Sequence, residues 1–535
     1  MNIKLFLLAS LSVLVAVPAF SAGFRSPYVL LCLSAHPDDE DGATLAYYHD
    51  KFGMTTYSVF FTRGEGGQNE TGPELYKDLA VIRTRETENA SHIVGSQAMF
   101  LNLHDFGYSK SAPETYKMWG GRDEVLRRLV YVIRRLKPDV IITNHHPSLD
   151  GGENHGNHQV AAMAALEAMD AAADSTYHPE QFREKGVAPW SVHKLFMRVW
   201  DYKDSTNPEA SATGYSSAPE SFVPVGDMDV LTGKRYQELA NSALREHHSQ
   251  GMEFFQSQVK PTAKIWYKLM QADANYPSIR DNLFAEIIPS DDRDTAMVAA
   301  STLPAEFTSL DYLDAVQPKL YPPTSPAVRK DLRVGVIRSY DNTIGDALST
   351  LHVSHTMLDS AMITSGDLGK FQTILVDIRA YSKRQDLVHA YKRLVEYVVK
   401  GGNLVVFYQK TMEWKPEYAP FPLTITRKRV TDEDSPLAVM IPNEPLFLRP
   451  NTIDSVDWTG WIIERGLYFP EESKDYQDLL AVMDPAEPLL TTGLLKARFG
   501  NGTYWYCALS LYRQLRQNNP GALKLFANLI SYETK

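Results

Sequence analysis

Residues 28–40 read YVLLCLSAHPDDE, and this stretch decides the fold. Its first half is a nearly continuous apolar run, which is typical of a strand buried on both faces of a parallel sheet. One histidine and three acidic residues follow the run directly, at positions 36–40. Because ligands bind beyond the carboxyl ends of the strands in open α/β sheets, the stretch predicts a polar site at one edge of such a sheet.

Strand-like and helical patterns alternate after this stretch. The alternation predicts a Rossmann-like α/β domain, with a mostly parallel sheet and helices on both faces. The region 175–315 is less regular, with one strand-like run at 194–200 and one helical run at 236–258. In the regular part, strand-like runs lie at 55–62, 97–103 and 140–144, and helical patterns at 75–94, 123–136 and 158–173.

A second strand–helix series predicts another α/β domain, flavodoxin-like and with β-rich additions. Together, the sequence patterns along the chain predict four segments. These are a signal peptide at 1–22, a first domain at 23–316, a proline-rich linker at 317–330 and a second domain at 331–535. The second series consists of strand-like runs at 333–337, 373–377 and 403–407 and a helical run at 385–399.

Composition narrows the function classes. The chain has 535 residues, of which 44% are hydrophobic and 22% charged, so a disordered chain and a membrane-embedded bundle are both disfavoured. The 54 basic and 65 acidic residues give a net charge of −11, which disfavours a nucleic-acid partner. Two cysteines exclude a disulfide scaffold and a cysteine-based zinc finger.

The amino-terminal residues predict export. Lys4 precedes an almost uninterrupted apolar run at 5–17, and Ala19-Phe20-Ser21 fits a cleavage site with small residues. We expect cleavage after about Ser21 or Ala22 and a periplasmic or secreted bacterial protein. The alternative is an uncleaved membrane anchor. No later stretch is long and apolar enough to predict a membrane span in the mature chain.

A histidine cluster follows the strand-like run at 140–144. Residues 144–158 read NHHPSLDGGENHGNH and contain four of the 15 histidines. One histidine and one aspartate from 36–40, with one histidine from this cluster, make a three-ligand site with an open position, as catalytic Zn²⁺ requires. Fe²⁺ and other divalent ions suit the same ligands. The alternatives are ordinary packing of the histidines and capping of the next helix by Asp38 or Asp39.

Four motifs together resemble the PIG-L/LmbE-like zinc-dependent N-deacetylase family. They are HPDDE at 36–40, TRGEGG at 62–67, Arg83-x-x-Glu86 and His155-x-x-His158, and the resemblance covers about residues 28–260. It implies removal of the N-acetyl group from an N-acetylated amino sugar, a GlcNAc-type glycan or glycoconjugate. The alternatives are an amidase for another N-acyl amine or amide conjugate, and a non-catalytic carbohydrate-binding protein.

The resemblance also implies roles for individual residues. Arg83 has an alternative role, which is to pair with Glu86 or Glu88. The family often has aspartate where this chain has Asn157, which puts the orientation of a neighbouring histidine in doubt. The implied metal ligands are His36, Asp39 and His158, the general base is Asp38, the group that stabilises the oxyanion is His155, and the substrate contacts are Arg83 and Asp105.

The second domain weakly resembles the class I glutamine amidotransferase-like fold. That family needs a cysteine at the turn after a central strand, but here the run at 403–407 is followed by Tyr408-Gln409-Lys410. The resemblance therefore implies an accessory domain without a catalytic cysteine, with a structural or glycan-binding role. The sequence leaves the oligomeric state open.

Overall fold

The computed structural model describes residues 26–148, 154–200, 219–253, 255–276, 282–288, 297–340 and 342–534. The predicted signal peptide lies outside these residues. Within them, no helix combines the length and the apolar character needed to cross a membrane.

The first sheet has seven strands in the order β3-β2-β1-β4-β5-β7-β6. The first five of these are parallel, and β7 runs antiparallel to both β5 and β6. The predicted Rossmann-like, mostly parallel sheet is therefore confirmed. Its strands are β1 (Val29–Ser34), β2 (Thr55–Phe60), β3 (Ser96–Phe100), β4 (Val140–Thr143), β5 (Lys194–Val199), β6 (Ser221–Val223) and β7 (Ile265–Ala272).

Helices cover both faces of this sheet. Leu31 and Leu33 of β1 lie in one apolar cluster, whereas Leu30 and Cys32 lie in another, because successive side chains of a strand point to opposite faces. The first cluster includes residues of α4 and α5, and the second includes residues of α1 and α6. The helices are α1 (Gly42–Phe52), α2 (Tyr76–Ile93), α3 (Ala112–Met118), α4 (Arg122–Leu136), α5 (Gly156–Ala173), α6 (Tyr236–Leu244) and α7 (Ala305–Thr308).

The helical run predicted at 236–258 is wrong in its second half, since α6 ends at Leu244. A short 3-10 turn, His248–Gln250, follows, and Gly251 then adopts a left-handed conformation with φ 80°. The reason is tertiary. His247 is fully buried with its Nε2 3.3 Å from a carboxylate oxygen of Glu40, and the Ser249 amide donates to Glu86 at 2.8 Å.

The second sheet has eight strands in the order β13-β15-β16-β17-β11-β10-β8-β9. Strands β9, β8, β10, β11 and β17 are parallel, and the remaining three form an antiparallel extension. The predicted second α/β domain with β-rich additions is thus confirmed. The strands are β8 (Arg333–Ile337), β9 (Ser354–Met357), β10 (Thr373–Val376), β11 (Asn403–Phe407), β13 (Ala438–Val439), β15 (Gln477–Val482), β16 (Leu490–Phe499) and β17 (Gly502–Cys507).

A two-stranded sheet and seven helices complete this part of the chain. Residues 317–330 contain no helix or strand and connect the two parts. We call residues 26–316 the N-terminal unit and residues 331–534 the C-terminal unit. The small sheet pairs β12 (Arg429–Val430) with β14 (Gly466–Leu467), and the helices are α8 (Thr343–Thr350), α9 (Ser360–Thr364), α10 (Ala380–Lys383), α11 (Gln385–Val399), α12 (Pro445–Leu448), α13 (Leu511–Arg516) and α14 (Pro520–Ser531).

The two units meet at the carboxyl ends of their parallel strands. Gln68, in the loop between β2 and α2, accepts a hydrogen bond from Arg379 at 3.0 Å and donates one to Tyr408 at 3.2 Å. Glu70 of the same loop forms ion pairs with Arg379 and with Lys383, the latter at 2.7 Å. A loop of the N-terminal unit therefore covers the strand ends of the C-terminal unit.

Candidate active site

The candidate site lies where the order of the first sheet reverses. Strands β2 and β3 follow β1 to one side, and β4 lies on its other side. Ligands bind at such a switch point in doubly wound sheets. The two predicted clusters, at 36–40 and 144–158, follow β1 and β4, and these strands are direct neighbours. The fold therefore brings them together.

The two neighbouring aspartates in the turn after β1, Asp38 and Asp39, have distinct structural features. Asp38 has a φ of 85°, a left-handed conformation that is strained for a residue other than glycine. The Asp39 carboxylate folds back and accepts the amide of His36 at 2.9 Å. Helix α1 is capped by Asp41, which accepts the Thr44 amide at 3.0 Å. The alternative in which Asp38 or Asp39 caps this helix is therefore wrong.

Two of the predicted metal ligands, His36 and His158, face one carboxylate oxygen of the third, Asp39. Oδ2 of Asp39 lies 3.1 Å from Nδ1 of His36 and 3.3 Å from Nε2 of His158. Ligand atoms at 2.0–2.2 Å around a tetrahedral ion are about 3.3 Å apart. The two pairs that include Asp39 match this spacing. Two nitrogen donors and one oxygen donor suit Zn²⁺, and a three-residue set leaves the open position of catalytic sites.

Potential ligand atoms lie within 4.8 Å of one another in two groupings. The first consists of His36, His155 and His158, and the second of Asp39, His145 and His158. However, Nε2 of His145 accepts the Ala35 amide at 2.9 Å, so its lone pair is already occupied. The ring stacks on His158 with centroids 4.2 Å apart. Burial and the nearby His158 lower the pKa of His145 to about 3. His145 thus supports His158 by stacking, a contact that only its position directly after β4 could have suggested.

The environment of Asp38 suits a general base. Burial, together with repulsion from the Asp39 carboxylate, raises the pKa of Asp38 to about 7. Burial alone would also raise the pKa of Asp39, but the facing imidazoles of His158, His145 and His36 hold it well below its usual value. Neighbouring carboxyl groups with separated pKa values can take different roles, one as base and one as ligand.

His155 packs beside the three-ligand set. Its ring centroid lies 4.0 Å from that of His158 and 4.9 Å from that of Tyr108. Burial and the neighbouring His158 and His36 hold the pKa of His155 well below its usual value, so the ring is neutral. Nδ1 is buried and has no hydrogen-bond partner among the described residues. A neutral imidazole keeps one N–H, which can donate to a developing oxyanion.

Asn157 contacts both clusters. Its Nδ2 lies 3.1 Å from Nε2 of His36 and donates to the Gly107 carbonyl at 3.3 Å. Its Oδ1 accepts from the hydroxyl of Thr115 at 2.9 Å. The side chain therefore still orients His36 and joins the start of α5 to the loop after β3, although it lacks the negative charge of an aspartate.

The two predicted substrate contacts are buried and have protein partners. Arg83 is 4% exposed and donates to Ser249 at 3.2 Å and to the Gln68 carbonyl at 3.0 Å, and also to the Gly64 carbonyl. It therefore holds the TRGEGG loop. Asp105 is 3% exposed and accepts the Gly107 amide at 2.8 Å. Their role in contacting substrate stays a prediction.

The TRGEGG motif packs against the loop after β3. Glu65 is fully buried and accepts the Asp105 amide at 2.9 Å and the Tyr312 hydroxyl at 3.2 Å. A Cβ atom on Gly66 would lie 2.1 Å from the Asp105 carbonyl oxygen, so only glycine fits there. The motif thus builds the wall of the site by close backbone contact.

A cavity of about 710 Å³ opens beside the candidate site. Its lining includes Asp38, Asp39 and His158, and also Trp200, which is half exposed. Cavities of this size with a few convergent polar groups are typical of small-molecule sites. Its apolar lining comes mainly from Met197, Val199, Leu244, Met252, Phe255 and Ile265.

A site of this kind at the switch point of a Rossmann-like sheet is that of a metal-dependent amide hydrolase. The family model described as PIG-L: GlcNAc-PI de-N-acetylase matches residues 31–169. A 1D-myo-inositol 2-acetamido-2-deoxy-alpha-D-glucopyranoside deacetylase of Geodermatophilus obscurus is 32% identical over 246 residues, covering 41% of this chain and 82% of the relative. The chain therefore belongs to the PIG-L family of deacetylases, which are typically zinc-dependent.

Two further similarities were found. A mycothiol S-conjugate amidase of Streptomyces coelicolor is 29% identical over 178 residues, which cover 31% of this chain and 59% of the relative. The N,N'-diacetylchitobiose deacetylase structure from Pyrococcus horikoshii is 21% identical with a TM-score of 0.32, and the match covers 45% of this chain and 83% of that one.

Proposed function

We propose that the chain is an exported, zinc-dependent deacetylase that removes the N-acetyl group from an N-acetylated amino sugar of the GlcNAc type. The observation that carries the proposal is that His36 and His158 both face one carboxylate oxygen of Asp39, with Asp38 next to Asp39 in the chain. Pure carbohydrate binding needs no such set, which argues against the non-catalytic alternative. Fe²⁺ or another divalent ion would suit the same donors.

The residues divide the hydrolysis between them. A divalent cation held by the three ligands would act as a Lewis acid and make an attacking water a better nucleophile near neutral pH. Asp38, with its pKa near 7, accepts the proton of that water. Neutral His155 donates its N–H to the oxygen of the tetrahedral intermediate. The proton held by Asp38, or one from a histidine, passes to the nitrogen as the amide C–N bond breaks, which gives acetate and a free amine.

The relatives support an amino-sugar substrate. The Geodermatophilus relative is named for an acetamido sugar linked to inositol. The relative named as an amidase supports a second candidate, which is hydrolysis of another amide conjugate. The cavity beside Asp38 and His158 has room for a sugar together with an attached group.

Export is supported by Lys4, the apolar run at 5–17 and the small residues Ala19 and Ser21. Amino-terminal sequencing of the protein recovered from a bacterial periplasm or culture medium tests this part. We expect a chain that begins directly after Ser21 or Ala22. Recovery of the intact amino terminus in the membrane fraction would support the anchor instead.

The activity is tested by measuring acetate release from GlcNAc, GalNAc, chitooligosaccharides and GlcNAc-inositol. We expect release from at least one of these compounds and its loss when a chelator is added. Release only from an amide conjugate without an amino sugar would favour the second candidate. No release from any compound by a protein with one bound Zn²⁺ per chain would contradict the proposal.

A further inference from the structure

Tyr108 lies between the candidate active site and the C-terminal unit. One side of its ring contacts His155, with ring centroids 4.9 Å apart. The guanidinium carbon of Arg429 lies 3.9 Å from the centroid of the same ring. Arg429 belongs to β12, so a side chain of the C-terminal unit reaches an active-site histidine through one aromatic ring. A guanidinium over an aromatic face is attracted by the ring quadrupole.

Arg429 is held in place from both units. Its backbone pairs with Leu467 in the small sheet, and its carbonyl accepts a hydrogen bond from Lys110 at 2.9 Å. Lys110 also forms ion pairs with Asp484 at 2.7 Å and Glu487 at 2.6 Å. The contact between Arg429 and Tyr108 is therefore part of an interface in which the backbone of Arg429 is bonded to both units, and Lys110, two residues after Tyr108, is paired with the C-terminal unit.

The loop that carries Tyr108 is bonded directly to the start of α5. The Gly156 amide donates to the Ser109 carbonyl at 2.9 Å, and Asn157 donates to the Gly107 carbonyl at 3.3 Å. On the other side, Ile463 of the C-terminal unit packs so closely that a Cβ atom on Gly107 would lie 2.7 Å from it. The C-terminal unit thus braces the loop that supports the amino-terminal turn of α5.

The ring of His155 depends on packing for its orientation. Nδ1 has no hydrogen-bond partner among the described residues, so no bond to that atom fixes the ring. Three rings surround it, with centroids 4.0 Å away for His158, 4.9 Å for Tyr108 and 5.3 Å for His36. Tyr108 is the one of these three that contacts the C-terminal unit through Arg429, so its position contributes to the direction of the N–H that His155 offers.

We propose that Arg429 is a positioning residue for the deacetylation, which holds Tyr108 against His155 so that the C-terminal unit completes the active site. The inference rests on the proposed function, because it assigns His155 to the oxyanion. It gives the C-terminal unit a role in the reaction of the N-terminal unit, in addition to its own packing.

The first test replaces Arg429 with methionine, which keeps the length of the side chain but removes the charge and the planar group. We expect kcat to fall about tenfold with KM changed less than about twofold, because small misplacements of a catalytic group are costly. Arg429→Lys, which keeps a cation over the ring, should recover most of the loss. The matched control is Arg427→Met, at an exposed position two residues earlier, and it should leave kcat unchanged.

The second test asks whether the effect passes through Tyr108. Tyr108→Leu should lower kcat at least as much as Arg429→Met, and the double variant should be no worse than Tyr108→Leu alone, since residues in one chain of contacts are not additive. Additive losses would overturn the proposal, and so would an unchanged kcat in Arg429→Met. If Arg429→Met fails to fold, Arg429→Gln replaces it in the same comparison.

A third readout does not need activity. In the NMR spectrum of histidine-labelled protein, the His155 signal is assigned with a His155→Gln variant. We expect Arg429→Met to move this signal towards its position in Tyr108→Leu. A signal that moves in Tyr108→Leu but stays in place in Arg429→Met would overturn the positioning role. If the wild-type protein released no acetate while this shift was seen, the proposed function would fail and the coupling would stand.

Discussion

The two sheets of this protein place polar side chains at the same structural position but use them differently. Beyond the carboxyl ends of β1 and β4, the imidazoles of His36 and His158 face one carboxylate oxygen of Asp39. At the ends of β10 and β11, Asp377 accepts hydrogen bonds from Ser339, and Gln409 donates to the carbonyls of Asp377 and Phe407. A doubly wound sheet thus offers a place for a site, but the side chains decide whether one forms.

The second strand edge is also covered, whereas the first opens into a cavity. Glu70 and Gln68 of the N-terminal unit occupy the edge of the C-terminal sheet through Arg379 and Lys383. The cavity of about 710 Å³ adjoins Asp38 and His158. We therefore expect the residues at the edge of the first sheet to carry out the reaction and the second sheet to have a supporting role. The variants below test this division.

The largest effect is expected from Asp38→Asn. Removing the base should lower kcat for acetate release about 1000-fold, within the range that general base catalysis contributes. Zinc binding should stay nearly intact, because the three donor atoms remain. Acetate assays and metal analysis of the same preparation measure both quantities. Loss of zinc in this variant would mean that Asp38, and not Asp39, is the ligand.

A comparison of His158→Ala with His145→Gln separates a ligand from the residue that orients it. We expect His145→Gln to weaken zinc binding about 10–100-fold, as loss of a supporting partner does, and His158→Ala to weaken it further. Calorimetric titration of the metal-free proteins with Zn²⁺ measures both. Equal losses would show that the second grouping, with His145 as ligand, is the real one.

Part of this site could be predicted from the sequence alone, and part could not. The motif at 36–40 and the histidine pair at 155 and 158 were predictable, because each follows a recognisable strand or begins a helix. The support by His145, the end of α6 at Leu244 and the stacking of Arg429 on Tyr108 were not. Each depends on a contact between residues far apart in the chain, for which local patterns carry no signal.

A smaller effect is expected at the contact between the units. Glu70→Gln removes the negative charge that faces buried Arg379, and should lower the free energy of unfolding by about 3 kcal/mol if the units unfold together. Burial raises the pKa of Glu70 in the folded protein, but the charges of Arg379 and Lys383 outweigh this effect and lower the pKa. The pair therefore stabilises the protein above the unfolded pKa, about 4.3.

This contribution is lost as the pH falls below that value. Thermal unfolding of wild type and Glu70→Gln at a series of pH values should show a difference in Tm that is full near pH 7 and shrinks under acid. Glu88→Gln, at an exposed position of α2, is the control. A difference in Tm that is independent of pH would contradict the ion-pair explanation.

The smallest effect is expected at the turn after β11, where an amidotransferase-like enzyme would carry its nucleophile. Lys410→Met should leave acetate release unchanged within about twofold, because no step of the proposed reaction uses this turn. A large loss of kcat with an unchanged Tm would show that the second sheet contributes chemistry of its own, and the division between the sheets would be wrong.

The most direct test of the central claim is acetate release from an N-acetylglucosamine conjugate by protein stripped of metal, before and after one equivalent of Zn²⁺ is added. The account predicts no release from the stripped protein and recovery on addition of zinc, with Asp38→Asn inactive in both states. Release that survives stripping, or a zinc-loaded wild type as inactive as Asp38→Asn, would contradict it.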